Sequence, residues 1–304
     1  MKSADELNRL WSFIRDPQFD PNAQATFSHE RERALVEKCL QTESNPFKAK
    51  HGWRASSVQI RLPHEQQGWE GSEDDPSVPL LEVKGVHHRD IMEIITSVFE
   101  DEIATTFHMM PFEEYWKFSD MEEPMKVFGK AYSSPAYLET YQEVQALPRE
   151  PGDDLERVVA PLMLWSDATQ LSNFSDASLW PIYLFFGNQS KYIRGKPTAA
   201  ACHHVAYVPT VCHSHVWTHF HLLTLGLQLP DDFQDQYSLH FEHASSDSVY
   251  THCKRELMQA VWALLLNDKF IDAYRSGIVI QCGDGITRSI FPRFFTYSAD
   301  YPEK

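Results

Sequence analysis

The chain has 304 residues, 42% of them hydrophobic with 19 Phe, 12 Tyr and 8 Trp, enough to bury the core of one large domain or two. Its formal net charge is −16, and residues 1–157 alone hold 17 Lys+Arg against 30 Asp+Glu, which excludes broad non-specific attraction to nucleic acid and confines any DNA contact to a local patch. No apolar run reaches the ~18–20 residues of a membrane span, and MKSADELNRLW lacks the apolar region of a signal peptide. The five cysteines (Cys39, Cys202, Cys212, Cys253, Cys282) have no CxxC spacing, which suits a reducing compartment and offers no disulfide framework.

In chain order, residues 1–45 predict helix, with Leu7, Leu10, Trp11, Phe13 and Ile14 at helical spacing. Residues 57–63 alternate like a short strand, and 64–79 read as an acidic, Gly/Pro-bearing surface loop. Residues 87–108 predict an amphipathic helix with Ile91, Ile94, Ile95, Val98, Phe99 and Ile103 on its apolar side. Residues 109–147 are aromatic-rich with helical stretches, and PREPGDDLE (148–156) marks a domain boundary. The organisation expected is therefore a mainly helical region over 1–157 and a second region over 158–304.

The second region opens on PLMLWSDATQLSNFSDASLWPIYLFFG (161–187): an apolar strand ending on Asp167, a turn with Asp176, and a second strand from Leu179 to Phe186. Apolar runs bounded by turn residues suit strands buried on both faces. An acid at the rim of such a strand needs a partner, a metal or solvent. A turn follows, GNQSKYIRGKP, whose Lys191, Tyr192, Arg194 and Lys196 form a basic-aromatic cluster able to touch phosphate or to stand as a solvated loop. Residues 199–209 predict a third strand carrying His203 and His204, one of them packed in the core. Residues 245–275 predict one long helix, capped by Ser246 or Asp247 and ended by Gly277. Residues 278–300 predict a hairpin turning at Gly283-Asp284-Gly285 and running to Asp300.

Strand, strand, strand, long helix, strand is the order by which an RNase-H-like nuclease brings two aspartates side by side. Carboxylates about 4–6 Å apart repel, and a hard divalent cation relieves the repulsion. Two such ions activate a water or a 3′-hydroxyl in phosphodiester chemistry.

The motifs VVAPLMLWSDATQLSNF, SLWPIYLFFGNQSKYIRGKPTAAACHHVAYVP, LPDDFQDQY, THCKRELMQAVWALLLNDKFIDAY and GIVIQCGDGITRSIFPRFFTYSADYPEK resemble the core of Plavaka-type transposases, fungal DNA-transposon proteins related to the CACTA superfamily. GWRASSVQIRLP and VKGVHHRDIMEIITSVFEDEIATTFHMMPF extend the resemblance, more loosely, toward the amino terminus. The resemblance implies an α/β protein with an RNase-H-like core, a DDE-type acidic triad holding Mg²⁺ or Mn²⁺, and cutting and joining of transposon-end DNA in the nucleus. By position, Asp167 would be the first acid and metal ligand and Asp300 the second. The family continues into a cysteine-rich zinc-binding stretch and a third acid. Neither follows here, so the core is expected to be incomplete. The chain is then a truncated copy with impaired transposition, or a catalytically silent remnant that binds partners or itself.

A second departure is the insert 211–228, VCHSHVWTHFHLLTLGLQ, where the family pattern passes from a Tyr-x-Pro strand end into LPDDF. Val codons begin GT and Gln can be CAG, so the insert is expected to be an intron translated in frame. Its His213, His215, His219 and His221 with Cys212 otherwise stand as packed or exposed histidines, or suggest zinc. An incomplete core would also leave apolar surface around Phe291, Phe294 and Phe295 exposed.

Overall fold

The structure is a computed structural model that describes residues 15, 34, 38, 51–64, 78–119, 123–167, 169–170, 178–208, 229–230 and 232–299. The expectations for most of 1–45, for the loop 65–77, for the insert 211–228 and for Asp300 lie outside the described residues. The chain divides into two units, Met1–His51 and Gly52–Lys304, and every element below belongs to the second.

Ten strands and six α-helices are described: β1 (Trp53–Arg61), β2 (Leu80–Arg89), α1 (Ile91–Glu100), β3 (Glu114–Trp116), β4 (Met125–Val127), α2 (Pro135–Ala146), β5 (Glu156–Ser166), β6 (Thr169–Gln170), β7 (Ser178–Phe186), α3 (Lys191–Arg194), β8 (His203–Val208), α4 (Phe233–Phe241), α5 (Asp247–Leu265), α6 (Asp268–Ser276), β9 (Ile278–Gln281) and β10 (Thr287–Ser298). Seven strands form a mixed sheet in the order β1-β2-β8-β7-β5-β10-β9, with β6 pairing β7 at its margin. All neighbours are antiparallel except β5 and β10, which run parallel. The fold is therefore mixed α/β.

Strands from both sides of the expected 157/158 boundary share this sheet, because β2 pairs with β8. Over the described residues, 51–157 is mixed rather than mainly helical, since β1 and β2 hold nine and ten residues. The helix expected from residue 87 begins at Ile91. Asp90 is its N-cap and accepts the Met92 amide at 2.8 Å, so His87-His88-Arg89 remain in β2. The long helix expected over 245–275 breaks after Leu265. Asn267 accepts the Phe270 amide at 3.1 Å and starts α6 as a new helix.

Alternation along β5 and β7 gives the sheet two unlike faces. On the first, Val158, Ala160, Leu162 and Leu164 join Trp180, Ile182, Leu184 and Phe186 in the main core, with the buried sides of α1, α4, α5 and α6. On the second, Val159 and Phe291 pack under Tyr137 and Val144 of α2 and Tyr132 of the turn just before it. Phe291 is thus buried, because α2 covers it; Phe294 stays partly exposed against the Phe270 ring at 5.3 Å. Arg157 fastens α2 to β5 by donating to Val144 O, Leu147 O and Pro148 O at 3.2, 2.7 and 2.8 Å, which satisfies carbonyls at the helix end. Asn188, just past β7, is fully buried and donates to Val159 O at 2.9 Å, with His108 O and Tyr137 Oη each at 3.2 Å.

Candidate functional site

β5 ends at Ser166, and half-buried Asp167 is the next residue. Parallel pairing of β5 with β10 matches Trp165 with Ser298 at this rim. Two residues further in sequence stand Asp167 and Asp300, the second of them outside the described residues. Ser166 and Tyr297 join the two strands through hydroxyls 2.8 Å apart, and the Tyr297 ring meets Trp262 of α5 edge-on at 5.2 Å.

Met163 and Trp165 share the parity of Asp167 and belong to the second face of β5, beyond the part that α2 covers. A band of aromatic rings crosses the sheet there. Trp165 stacks on Tyr183, its partner in β7, at 5.3 Å, and Tyr183 meets His204, its partner in β8, edge-on at 4.9 Å. His204 Nδ1 and Tyr207 Oη share a hydrogen bond, and Tyr207 stacks on Trp53 of β1 at 5.4 Å. A register shift between Ile182 and Tyr183 skips Val205, so His204 and Tyr207, an odd number of residues apart, serve the same face. The Tyr183 phenol is pushed up by burial first, then by Cys202 and by the charge of Asp167. Asp167 therefore stands within electrostatic reach of the band. His203 points the other way, edge-on to Phe186 at 5.5 Å, and burial pushes its imidazole down to about 4.

The basic turn lies beside this band. Gly187 has no room for a side chain, since a Cβ would stand 2.8 Å from Pro161 Cγ. Buried Asn188 then fixes the turn that leads into α3. Lys191, Tyr192 and Lys196 are exposed, Tyr192 by 68%. Lys191 Nζ lies 5.4 Å and Lys130 Nζ 5.8 Å from the Tyr192 ring centre, which makes a cation-flanked aromatic. Arg194 instead turns inward. It donates to Phe186 O at 3.2 Å, lies against Met163 Sδ, and is lowered by burial, so it anchors the turn onto the second face. Sequence reasoning missed Lys130, which enters from a different part of the chain. It also missed the aromatic band, whose only local signal is the alternation Met163-Leu164-Trp165-Ser166-Asp167.

Among the described residues, no three His, Cys, Asp or Glu side chains gather where they could share a metal ion. No described helix is long and apolar enough to cross a membrane.

The family model for Plavaka transposase matches residues 48–304. No curated protein and no solved structure matches the chain.

Proposed function

The chain belongs to the Plavaka transposase family, and we propose that its rim at β5 and β10 is a metal-dependent phosphodiester site with the second face of the sheet as its DNA track. The observation that carries this reading is the parallel adjacency of β5 and β10, with Trp165 matched to Ser298. It supports Asp167 and Asp300 as the acid pair. Strand order β8-β7-β5-β10, antiparallel twice and then parallel, with α5 between β8 and β10 in sequence, supports an RNase-H-like core.

The donors at the rim suit a hard cation. Asp167 offers carboxylate oxygen from a half-buried position, while the hydrogen-bonded Ser166 and Tyr297 hydroxyls brace the two strand ends on the other face. Asp167 and Asp300 would hold Mg²⁺ or Mn²⁺, which stabilises charge on phosphoryl oxygens when bound. The chain's own residues bind and orient the strand. Lys191 and Lys196 neutralise backbone phosphates locally, against a net charge of −16, while Lys130, paired with Glu114 at 3.7 Å, flanks the Tyr192 ring. Tyr192 and the band from Trp165 to Trp53 offer ring faces to bases. Arg194 holds the turn in place through Phe186 O.

Metal binding and DNA binding test the two halves separately. Isothermal titration should show Mn²⁺ bound by the full chain and lost in Asp167→Asn and in Asp300→Asn, with Mn²⁺-dependent plasmid nicking lost in step. Binding unchanged in both variants would remove the acid pair. Single-strand affinity measured against salt should lose roughly 1–1.5 from its log–log slope in Lys191→Ala/Lys196→Ala, at about 0.7 per phosphate contact. An unchanged slope would remove the turn from the interface.

A further inference from the structure

We propose that Arg89 and His204 form a phosphate-binding clip at the end of the aromatic band away from Asp167, gripping the backbone of a nucleic-acid strand whose bases lie on the rings. The inference rests on the reading of the second face as a DNA track and adds to it an anchor on β2. Sheet register puts Arg89 on that face. It is the last residue of β2 and is matched with Trp53 of β1; two residues earlier, His87 is matched with Tyr207 of β8. Opposed residues share a face, and so do residues two apart in a strand. Arg89 therefore stands in the row of Trp53 and Tyr207, whose rings stack at 5.4 Å.

Among the described residues the buried Arg89 Nε has no hydrogen-bond partner, a costly state for a donor. Arg54 takes the two acids nearby, Glu93 in a direct ion pair and Asp90 at 3.7 Å. Burial lowers the Arg89 guanidinium, against the charge of Glu93. Burial first, and then the charge of Arg89, holds down both His203 and His204, so Arg89 stands within electrostatic reach of β8. His204 supplies a second donor. It is exposed, and its Nδ1 shares a hydrogen bond with Tyr207 Oη. With the phenol donating to Nδ1, the proton sits on Nε2 and is left for a ligand. A guanidinium fork with one N–H beside it matches the oxygens of a phosphodiester. The neighbouring ring faces favour a strand of phosphates and bases over an isolated anion. β2 lies three strand spacings, roughly 14 Å, from β5, so this phosphate is distinct from the one at the Asp167 rim.

Nuclear magnetic resonance of the arginine Nε–H groups, with strand binding measured against salt, tests this on the full chain. Oligothymidylate and an abasic deoxyribose-phosphate oligomer of equal length should both shift the Arg89 Nε–H signal, the abasic one binding more weakly because it has no bases to stack. Arg89→Met should weaken oligothymidylate binding about tenfold or more and remove about 0.7 from the log–log salt slope, beyond the loss in Lys191→Ala/Lys196→Ala. His204→Phe keeps a ring in the row but removes the donor, and should weaken binding about three- to tenfold with the slope unchanged. Circular dichroism establishes that each variant is folded, and the wild-type signal decides alone if Arg89→Met is not. An Arg89 signal unmoved by bound oligothymidylate, or an Arg89→Met slope equal to that of the wild type, overturns the clip and leaves the DNA track on its lysines. A wild type that binds neither oligomer overturns both, and a signal then shifted by inorganic phosphate assigns the donors to free anions. Equal affinity for the two oligomers, with the Arg89 signal shifted by each, keeps the clip and removes the rings from the track.

Discussion

Replacing Asn188 by alanine isolates the polar joint that holds the turn after β7. Asn188 is fully buried, and its amide nitrogen has three acceptors in reach: Val159 O at 2.9 Å, His108 O at 3.2 Å and Tyr137 Oη at 3.2 Å. An amide has two hydrogens, so two of the three bonds are made at once. Tyr137 Oη also donates to Val159 O at 3.3 Å, so that carbonyl keeps one partner after the substitution. The His108 carbonyl loses its bond from the amide. One lost bond of about 1 kcal/mol, plus one buried acceptor weakened at about 1–2 kcal/mol, gives a loss of about 2–3 kcal/mol. At roughly 2–4 °C per kcal/mol for a unit of this size, the melting temperature should fall by about 5–10 °C. Asn188→Asp keeps the shape but turns a donor into a charged acceptor facing two carbonyls, so it should be worse than alanine. Differential scanning calorimetry of the three proteins decides the matter. An alanine variant within 1 °C of wild type, a threshold of roughly 0.3–0.5 kcal/mol on the same scale, or an aspartate variant milder than alanine, would refute the reasoning.

Gly283 and Gly285 separate crowding from backbone strain. A Cβ at Gly283 would stand 2.1 Å from Asp101 O, and its amide donates to Phe99 O at 2.8 Å, so Gly283→Ala should destabilise by about 3 kcal/mol in urea unfolding. Gly285 has a φ of +81° and open space around it, so Gly285→Ala should lose only about 1 kcal/mol. Arg157→Met removes three charge-assisted bonds to the end of α2 and should destabilise by about 3 kcal/mol, with loss of helical far-UV signal. His203 sets a pH dependence. Its imidazole takes a proton near pH 6.5 unfolded but only near 4 folded, so acid favours the unfolded chain. Its contribution is complete above pH 6.5 and falls as pH drops toward 4, by at most about 3 kcal/mol. His203→Gln should flatten the stability profile across that window, and an unchanged profile would assign the dependence to other groups.

Much of the sheet was legible because its strands are apolar on both faces. β5 and β7 announce themselves as uninterrupted runs, and the Gly283-Asp284-Gly285 turn marks the hairpin of β9 and β10; Asp284 there accepts the Ile286 amide at 3.0 Å and pairs with Arg288. β2 was harder, because LLEVKGVHHR mixes charge, glycine and histidine and runs without a break into helical spacing. Only the cap at Asp90 sets the boundary. The break between α5 and α6 is hidden for the same reason: apolar residues continue through it at helical spacing, and a single Asn267 side chain restarts the count. At the site, Asp167 was legible as an acid ending a buried run. Arg194 was not separable from Lys191 and Lys196, since all three are cations in one short turn and only burial distinguishes them. Lys130 and the aromatic band exist only once distant strands are paired.

The position of β10 in the sheet has a consequence for synthesis. It lies between β5 and β9, and its first paired residues stand far from their partners: Arg288 grips Glu156 across 132 residues of chain. A ribosome adding roughly 5–20 residues per second leaves β5 waiting on the order of ten seconds with that edge bare. During that interval the nascent chain presents an apolar strand with no neighbour on one side, a natural target for chaperones. Folding of the central sheet is then timed by the emergence of its last described strand.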